Sequence, residues 1–204
     1  MSLRYAILGY LSSGPGTGYD LARQLDTGLG WFWTARHSQI YPELKKLTEG
    51  GLIRRHSAVA GENFDKFEYS ITEAGLAELR EWAGQAPSYP PNRDSERLQL
   101  IFSDEQPSSL RLHLEAHLEH FRQRRDRLRE TLSSMQQGTH PRVQKRIDEG
   151  PPSRADLTLK LRELAYSGDI ARAELEVAWA QSALDWLDEY EQDNVERLAG
   201  RQPG

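Results

Sequence analysis

Residues 34–72 constrain the fold more than any other stretch of the chain. Ile40, Leu44 and Leu47 recur at i, i+4 and i+7, the spacing of one helical face. Gly50-Gly51 stops that helix, which starts near Ser38 because Pro42 is best tolerated in a first turn. Leu52 to about Ser57 reads as a strand. A turn over 58–65, with Gly61 and Asn63, leads into its partner. There Phe67, Tyr69 and Ile71 alternate with Lys66, Glu68 and Ser70, the period of a half-buried strand. Thr72-Glu73-Ala74-Gly75 then opens another helix. A helix followed by a two-stranded ribbon is the layout of a DNA-reading helix with a wing. The helix leaves Ser38, Gln39, Tyr41, Pro42, Lys45, Lys46 and Glu49 for its outer surface.

Two helices precede this stretch. Leu3, Ala6, Ile7, Tyr10 and Leu11 give the first an apolar face, and Ser13-Gly14-Pro15-Gly16 breaks it. Thr17, with Asp20 three residues on, caps a second helix whose inner face is Leu21, Ala22 and Leu25. A turn with Trp31, Phe32 and Trp33 follows. The fourth helix, Thr72 to about Trp82, is expected to bury Leu76 and Leu79.

Gln85-Ala86-Pro87-Ser88-Tyr89-Pro90-Pro91-Asn92 is too rich in proline for a helix and marks a linker. It divides the chain into a first domain over 1–84, a linker over 85–93 and a helical domain over 94–199. In the latter, 96–102 forms a short helix, and 108–135 carries Leu114, Leu118, Phe121, Leu128, Leu132 and Met135 on a heptad-like stripe with Arg125 in the seam. Residues 138–152 read as a loop-rich break. Ala155 to about Leu198 is one long helical stretch in which Gly168 is a point for a kink. A helix that outgrows its own domain, apolar on more than one face, packs against another chain. Leu175, Trp179, Trp186 and Leu187 are the expected dimerisation residues. The fold class is mainly α: an N-terminal winged helix-turn-helix plus a C-terminal, coiled-coil-like dimerisation domain of long helices.

The formal net charge of −5 argues against a nucleic-acid binder only if the charge is evenly spread. Between Trp31 and Ala60, Arg36, Lys45, Lys46, Arg54 and Arg55 face Glu43 and Glu49, a local net of +3, while the C-terminal end is acidic. The chain has no cysteine, which excludes disulfides, thiol nucleophiles and cysteine zinc sites. No apolar run approaches the roughly 20 residues that span a bilayer, and the first residues lack a signal-peptide layout. A cytoplasmic protein without membrane contact is expected.

Base edges in a major groove are read by polar side chains on an exposed helix face, and phosphates by basic ones. Ser38, Gln39, Lys45 and Lys46 meet that need. Tyr41 can donate to a phosphate, and Arg54, Arg55, His56 and Lys66 equip the ribbon for the backbone or minor groove. A winged helix that binds protein instead of DNA would show an apolar patch where Lys45, Lys46 and Gln39 stand. His113, His117 and His120 fall at i, i+4 and i+7, which fits a metal-responsive regulator or histidines flanking a helical seam. There is no phosphate loop, nucleophile elbow or recognisable carboxylate pair, so no enzyme, cofactor or metal is expected. Trp31, Trp33 and Tyr89 are candidates for lining an effector cleft between domains.

Leu3-Arg4-Tyr5-Ala6-Ile7-Leu8-Gly9-Tyr10-Leu11, Gly14-Pro15-Gly16-Thr17-Gly18-Tyr19-Asp20-Leu21, Ile40-Tyr41-Pro42-Glu43-Leu44-Lys45-Lys46-Leu47 and Thr72-Glu73-Ala74-Gly75 together strongly resemble the PadR family of transcriptional regulators. The resemblance covers about residues 1–83, and Gly18-Tyr19 followed by Tyr41-Pro42 is its most specific part. The remainder is similar, in length and helical pattern, to the PadR branch related to virulence gene activators. The resemblance implies a homodimer with a winged helix at each end, binding double-stranded DNA at a palindromic operator. It implies a repressor released by a small aromatic or drug-like effector. It also implies DNA contacts from Tyr41, Lys45, Lys46 and Arg54 or Arg55.

Overall fold

The computed structural model describes residues 3–27, 37–57, 67–88 and 94–199. In chain order the elements are α1 (Leu3–Leu11), β1 (Gly16–Thr17), α2 (Gly18–Thr27), α3 (His37–Glu49), β2 (Ile53–Ser57), β3 (Phe67–Ile71), α4 (Glu73–Ala83), α5 (Ser95–Ile101), α6 (Leu110–Gln136), α7 (Pro141–Asp148) and α8 (Ala155–Ala199). They form two units: Met1–Ser88 with Gly138–Asp156, and Tyr89–Gln137 with Leu157–Gly204.

In the first unit α1, α2 and α3 close around Ile7, Leu8, Leu21, Ile40, Leu44, Leu47 and Ile53, all essentially inaccessible to solvent. Fully burying a side chain of this size contributes roughly 1.5–3 kcal/mol. α2 begins with a reciprocal cap: the Asp20 N–H donates to Thr17 Oγ1 (3.1 Å), and that hydroxyl donates to Asp20 Oδ2 (2.7 Å). α3 ends in a Schellman motif, in which Leu52 N–H donates to the Leu47 carbonyl and Gly51 N–H to that of Thr48, with Gly51 at φ 70°. Pro42 sits well inside α3 and gives the Ser38 carbonyl no helical donor. Both residues are exposed, so solvent can satisfy it.

The sheet is antiparallel in the order β1-β3-β2, with Ile53 opposite Ile71, Arg55 opposite Tyr69 and Gly16 opposite Tyr69 on the other side. β1 lies in the stretch expected to be only a break. α4 starts at Thr72, whose Oγ1 accepts from Gly75 N–H and donates to the Gly51 carbonyl (2.8 Å). Leu76 and Leu79, expected to be buried, are partly buried, Leu79 against the core, and Gly75 makes the closest approach. A Cβ there would meet the Leu52 carbonyl oxygen at 2.2 Å. α1 is pinned to α4 by the Arg4 guanidinium on the Glu78 carboxylate (2.5 and 2.9 Å) and by Tyr5 stacked on Trp82 at 4.6 Å.

Residues 138–152 differ most from the sequence reading. They hold α7, which packs on the first unit instead of belonging to a loop of the helical domain. His140 caps it and Pro141 opens it. The Arg142 guanidinium lies 3.3 Å from the centre of the Tyr10 ring and donates to the Tyr10 carbonyl (3.0 Å); Arg146 donates to Ser12 Oγ (2.8 Å). Burial is the main pressure on both partners. It pushes the Tyr10 hydroxyl above its ordinary value and the Arg142 guanidinium below its own. Gly16 makes room for this pair, since a Cβ would come within 2.7 Å of the Tyr10 ring and 2.9 Å of Arg142 Nη2.

In the second unit α6 and α8 run antiparallel. Arg111 bonds Asp188 (2.6 Å), His117 bonds Glu176 (3.1 Å), and Arg124 pairs with the buried Asp169. Leu114 and Leu118 of α6 pack on Ala180, Leu184 and Leu187 of α8. Arg124, not Arg125, makes the cross-helix pair; Arg125 turns to its neighbour Asp126 at 2.8 Å. Gly168 does not interrupt α8, a helix of 45 residues. Thr158, Tyr166, Asp169, Ala173, Ala180, Leu184 and Leu187 form its buried face. Leu157, Leu161, Leu164, Leu175, Trp186 and Tyr190 stand on an exposed one, continued by Gly168, Ala171, Ala178 and Ser182 at steps of three and four.

This division separates the residues of the expected dimerisation set. Leu175 (69 % exposed) and Trp186 are on the open stripe. Leu187 is only 5 % exposed, within the core of its own unit. Trp179 is half-buried under the Arg97 guanidinium at 3.7 Å. Seven residues apart, the two tryptophans share one helix face and line one cleft, but the Arg97 guanidinium of α5 covers only Trp179. No helix among the described residues is long and apolar enough to cross a membrane.

Candidate nucleic-acid interface

α3 turns Ile40, Leu44 and Leu47 inward, which forces Ser38, Gln39, Tyr41, Pro42, Lys45 and Lys46 outward, and all six are exposed. Lys45 approaches Glu49 and Lys46 approaches Glu43, each at 3.8 Å, the outer limit of an ion pair. The two lysine side chains stay 77 % and 73 % exposed, so these contacts are weak and easily exchanged for an anion of another molecule.

The Tyr41 ring has a specific seat. A Cβ on Gly18 would come within 2.8 Å of Tyr41 Cε1 and 3.3 Å of Leu44 Cδ1. Glycine at the start of α2 therefore lets the tyrosine lie against α2 with its hydroxyl end free. Tyr19, the next residue, is exposed as well. Helical periodicity gives Tyr19 no role; its place in the Gly18-Tyr19 pair is the one sequence signal for it.

The ribbon divides its cations between two faces, as period-two alternation requires. Arg54 lies opposite Ser70, on the face where His56 Nε2 and Ser70 Oγ are 2.8 Å apart. Arg55 lies opposite Tyr69, and its guanidinium covers the Phe67 ring at 4.2 Å. Burial pushes the Tyr69 hydroxyl above its ordinary value; the nearby Arg55 charge works against that and Tyr41 adds to it. Tyr69 belongs to the core cluster that includes Ile40, Leu44 and Leu47 of α3, so the ribbon face it shares with Arg55 is the one turned toward α3. Lys66, Trp31, Trp33 and Tyr89 lie outside the described residues.

The PadR-like family model of transcriptional regulators matches residues 7–81, the span from α1 to α4. A probable transcriptional regulator of Mycobacterium tuberculosis is 30 % identical over 198 residues, covering 93 % of this chain and 95 % of that protein. The chain belongs to the PadR-like family. The negative transcriptional regulator PadR of Bacillus subtilis is 48 % identical over 80 residues, a match spanning 39 % of this chain and 44 % of that regulator. Its structure in complex with operator DNA superposes with a TM-score of 0.68 at 28 % identity, covering 90 % of this chain and 96 % of that one. Its complex with p-coumaric acid gives a TM-score of 0.53 at 29 % identity, covering 91 % and 95 %. The virulence activator AphA of Vibrio cholerae gives 0.62 at 28 % identity, covering 93 % and 99 %. A DNA-binding transcriptional regulator built on a winged helix, with a long-helix C-terminal region, is the shared description.

The PadR-like fold also places the three histidines. His117 bonds Glu176 and packs its ring on Phe121 (4.6 Å) and edge-on to Trp179 (5.2 Å), while His120 meets Phe121 edge-on at 5.0 Å. They line a cleft among aromatic rings. Among the described residues no group of three or more His, Cys, Asp or Glu side chains could hold a metal ion, so the metal-responsive alternative has no centre there.

Proposed function

We propose that this PadR-like regulator is a cytoplasmic homodimeric repressor that binds a palindromic operator and is released by a small effector. The outer face of α3 carries this reading. Its exposed residues are mostly polar or basic, and it joins Ser38 and Gln39, suited to base edges, with Lys45, Lys46 and Tyr41, suited to phosphates. Arg55 extends the set from the ribbon; Arg54 and Lys66 complete it. The Bacillus relative's name, a negative regulator, and its complex with operator DNA support repression and operator binding. Its complex with p-coumaric acid supports an effector.

The second copy docks on the open stripe of α8, where Leu157, Leu161, Leu164, Leu175, Trp186 and Tyr190 leave a line of exposed apolar side chains, the kind of surface that marks an interface. Selection of bound sites from a random duplex pool tests the DNA reading. Half-sites about one helical turn, or a multiple of it, apart are expected; selection of no common sequence refutes it. Leu175→Glu with Trp186→Glu tests the stripe by analytical ultracentrifugation. The variant sediments as a folded monomer, and a variant that stays dimeric places the interface elsewhere.

A further inference from the structure

Inside the second unit, α5, α6 and α8 enclose a cleft of about 380 Å³, within the range of small-molecule sites (roughly 300–1,000 Å³). Its walls are aromatic: Trp179 on one side and Phe121 on the other, with the His117 ring between them. Its charge is one-sided. Asp94, Glu96 and Glu176 line it against a single guanidinium, that of Arg97.

Arg97 lies on the Trp179 ring at 3.7 Å and reaches Glu176 Oε2 at 2.6 Å. The same oxygen meets His117 Nε2 at 3.1 Å, which holds the carboxylate in place. A flat cation stacked on an indole with a carboxylate at its edge is how an aromatic site takes a planar cationic ligand. We propose that the cleft is a binding site for planar aromatic cations, and that Arg97 is a built-in occupant which such a ligand displaces. The site takes the sign of charge opposite to that of p-coumarate.

The occupant competes at the high effective concentration of an attached side chain. Removing it therefore strengthens ligand binding, the reverse of what loss of an ordinary contact residue does. Arg97 belongs to α5, the first helix after the linker, so displacement acts on the element that follows the DNA-binding unit in the chain. Only that consequence rests on the effector-released reading; the site itself does not.

Calorimetry on the full chain at pH 8, above the usual histidine range, tests the site with phenylguanidinium, its neutral isostere phenylurea, and p-coumarate. Phenylguanidinium binds at least about tenfold tighter than either of the others, the worth of one charge-assisted contact. Arg97→Ala tightens it by about tenfold, and Glu176→Gln weakens it by about tenfold, with the circular dichroism of both variants unchanged. Equal or tighter binding of phenylurea overturns the proposal, as does a folded Arg97→Ala variant with unimproved affinity. If Arg97→Ala fails to fold, the Glu176→Gln result decides alone. Operator affinity is measured separately. A bound cation that leaves it unchanged upholds the site and refutes effector release through it.

Discussion

Replacing Lys45 and Lys46 together by alanine should separate phosphate contacts from ordinary surface charge. Both side chains are more than 70 % exposed, and their partners Glu49 and Glu43 stand at 3.8 Å. Such exposed pairs contribute about 0.3–0.5 kcal/mol each, so the double change should cost the fold less than about 1 kcal/mol. DNA binding responds on another scale. Each neutralised phosphate adds about 0.9 to the slope of log K against log salt, so four lysines in the proposed dimer account for a slope of about 3.6. Over a fourfold change in salt, from about 50 to 200 mM, that slope is worth about a hundredfold in affinity. Fluorescence anisotropy on an operator duplex from the site selection, at several salt concentrations, reads it directly. The variant should bind more weakly at low salt, with a slope shallower by three to four by this reckoning. Glu43→Gln with Glu49→Gln should act in the opposite direction, by leaving both lysines to the phosphates. A double-alanine variant with the slope of the parent would remove these residues from the interface.

Three further outcomes follow from the packing. Gly75→Ala should lower stability by about 3 kcal/mol, because its Cβ would meet a backbone oxygen at 2.2 Å that cannot move aside; Gly84→Ala, whose nearest neighbours stand at 3.5 Å, should change it by less than about 0.5 kcal/mol, both read by urea unfolding. Arg55→Ala should weaken operator binding more than Arg54→Ala, because Arg55 is on the α3 side of the ribbon; equal losses in the anisotropy assay would contradict that placement. Burial pushes the Tyr166 hydroxyl from 10.0 to about 12, so the folded chain keeps a proton that the unfolded chain releases. The stabilisation from this group is complete below pH 10 and is lost as pH rises through 12. Tyr166→Phe should therefore flatten the fall of the urea midpoint over that interval, and an unchanged profile would contradict the burial argument.

The recognition helix and ribbon were legible because each repeats one face many times. Ile40, Leu44 and Leu47 define an inside, and the outer residues follow by exclusion; Phe67, Tyr69 and Ile71 do the same at period two. β1 could not be read this way. Two residues, Gly16 and Thr17, show no alternation, and their strand conformation exists only because β3 is there to pair with. α7 was hidden for a related reason. Apart from Pro141 its apolar residues are Val143 and Ile147, and much of its attachment is through Arg142 and Arg146, whose partners lie 127 to 134 residues away in the chain. Local periodicity carries no record of such a contact.

α8 shows a different limit. Its apolar residues go round the helix, so periodicity alone offers two equivalent stripes. Only the position of α6 decides that Leu184 and Leu187 face inward and Leu175 and Trp186 outward. The motif that carries the family resemblance was legible as a pattern but not as a cause. Gly18 is the space that the Tyr41 ring fills, Gly16 the space for Tyr10 and Arg142, and Gly75 the space for the Leu52 carbonyl. Each glycine is one half of a close approach whose other half lies elsewhere in the chain. Residues far apart in the motif therefore belong together, because changing one side alone leaves either a clash or an unsupported ring. On this argument the Gly-Tyr and Tyr-Pro pairs are one device, which seats an aromatic hydroxyl at the edge of α3 beside the lysines that flank it.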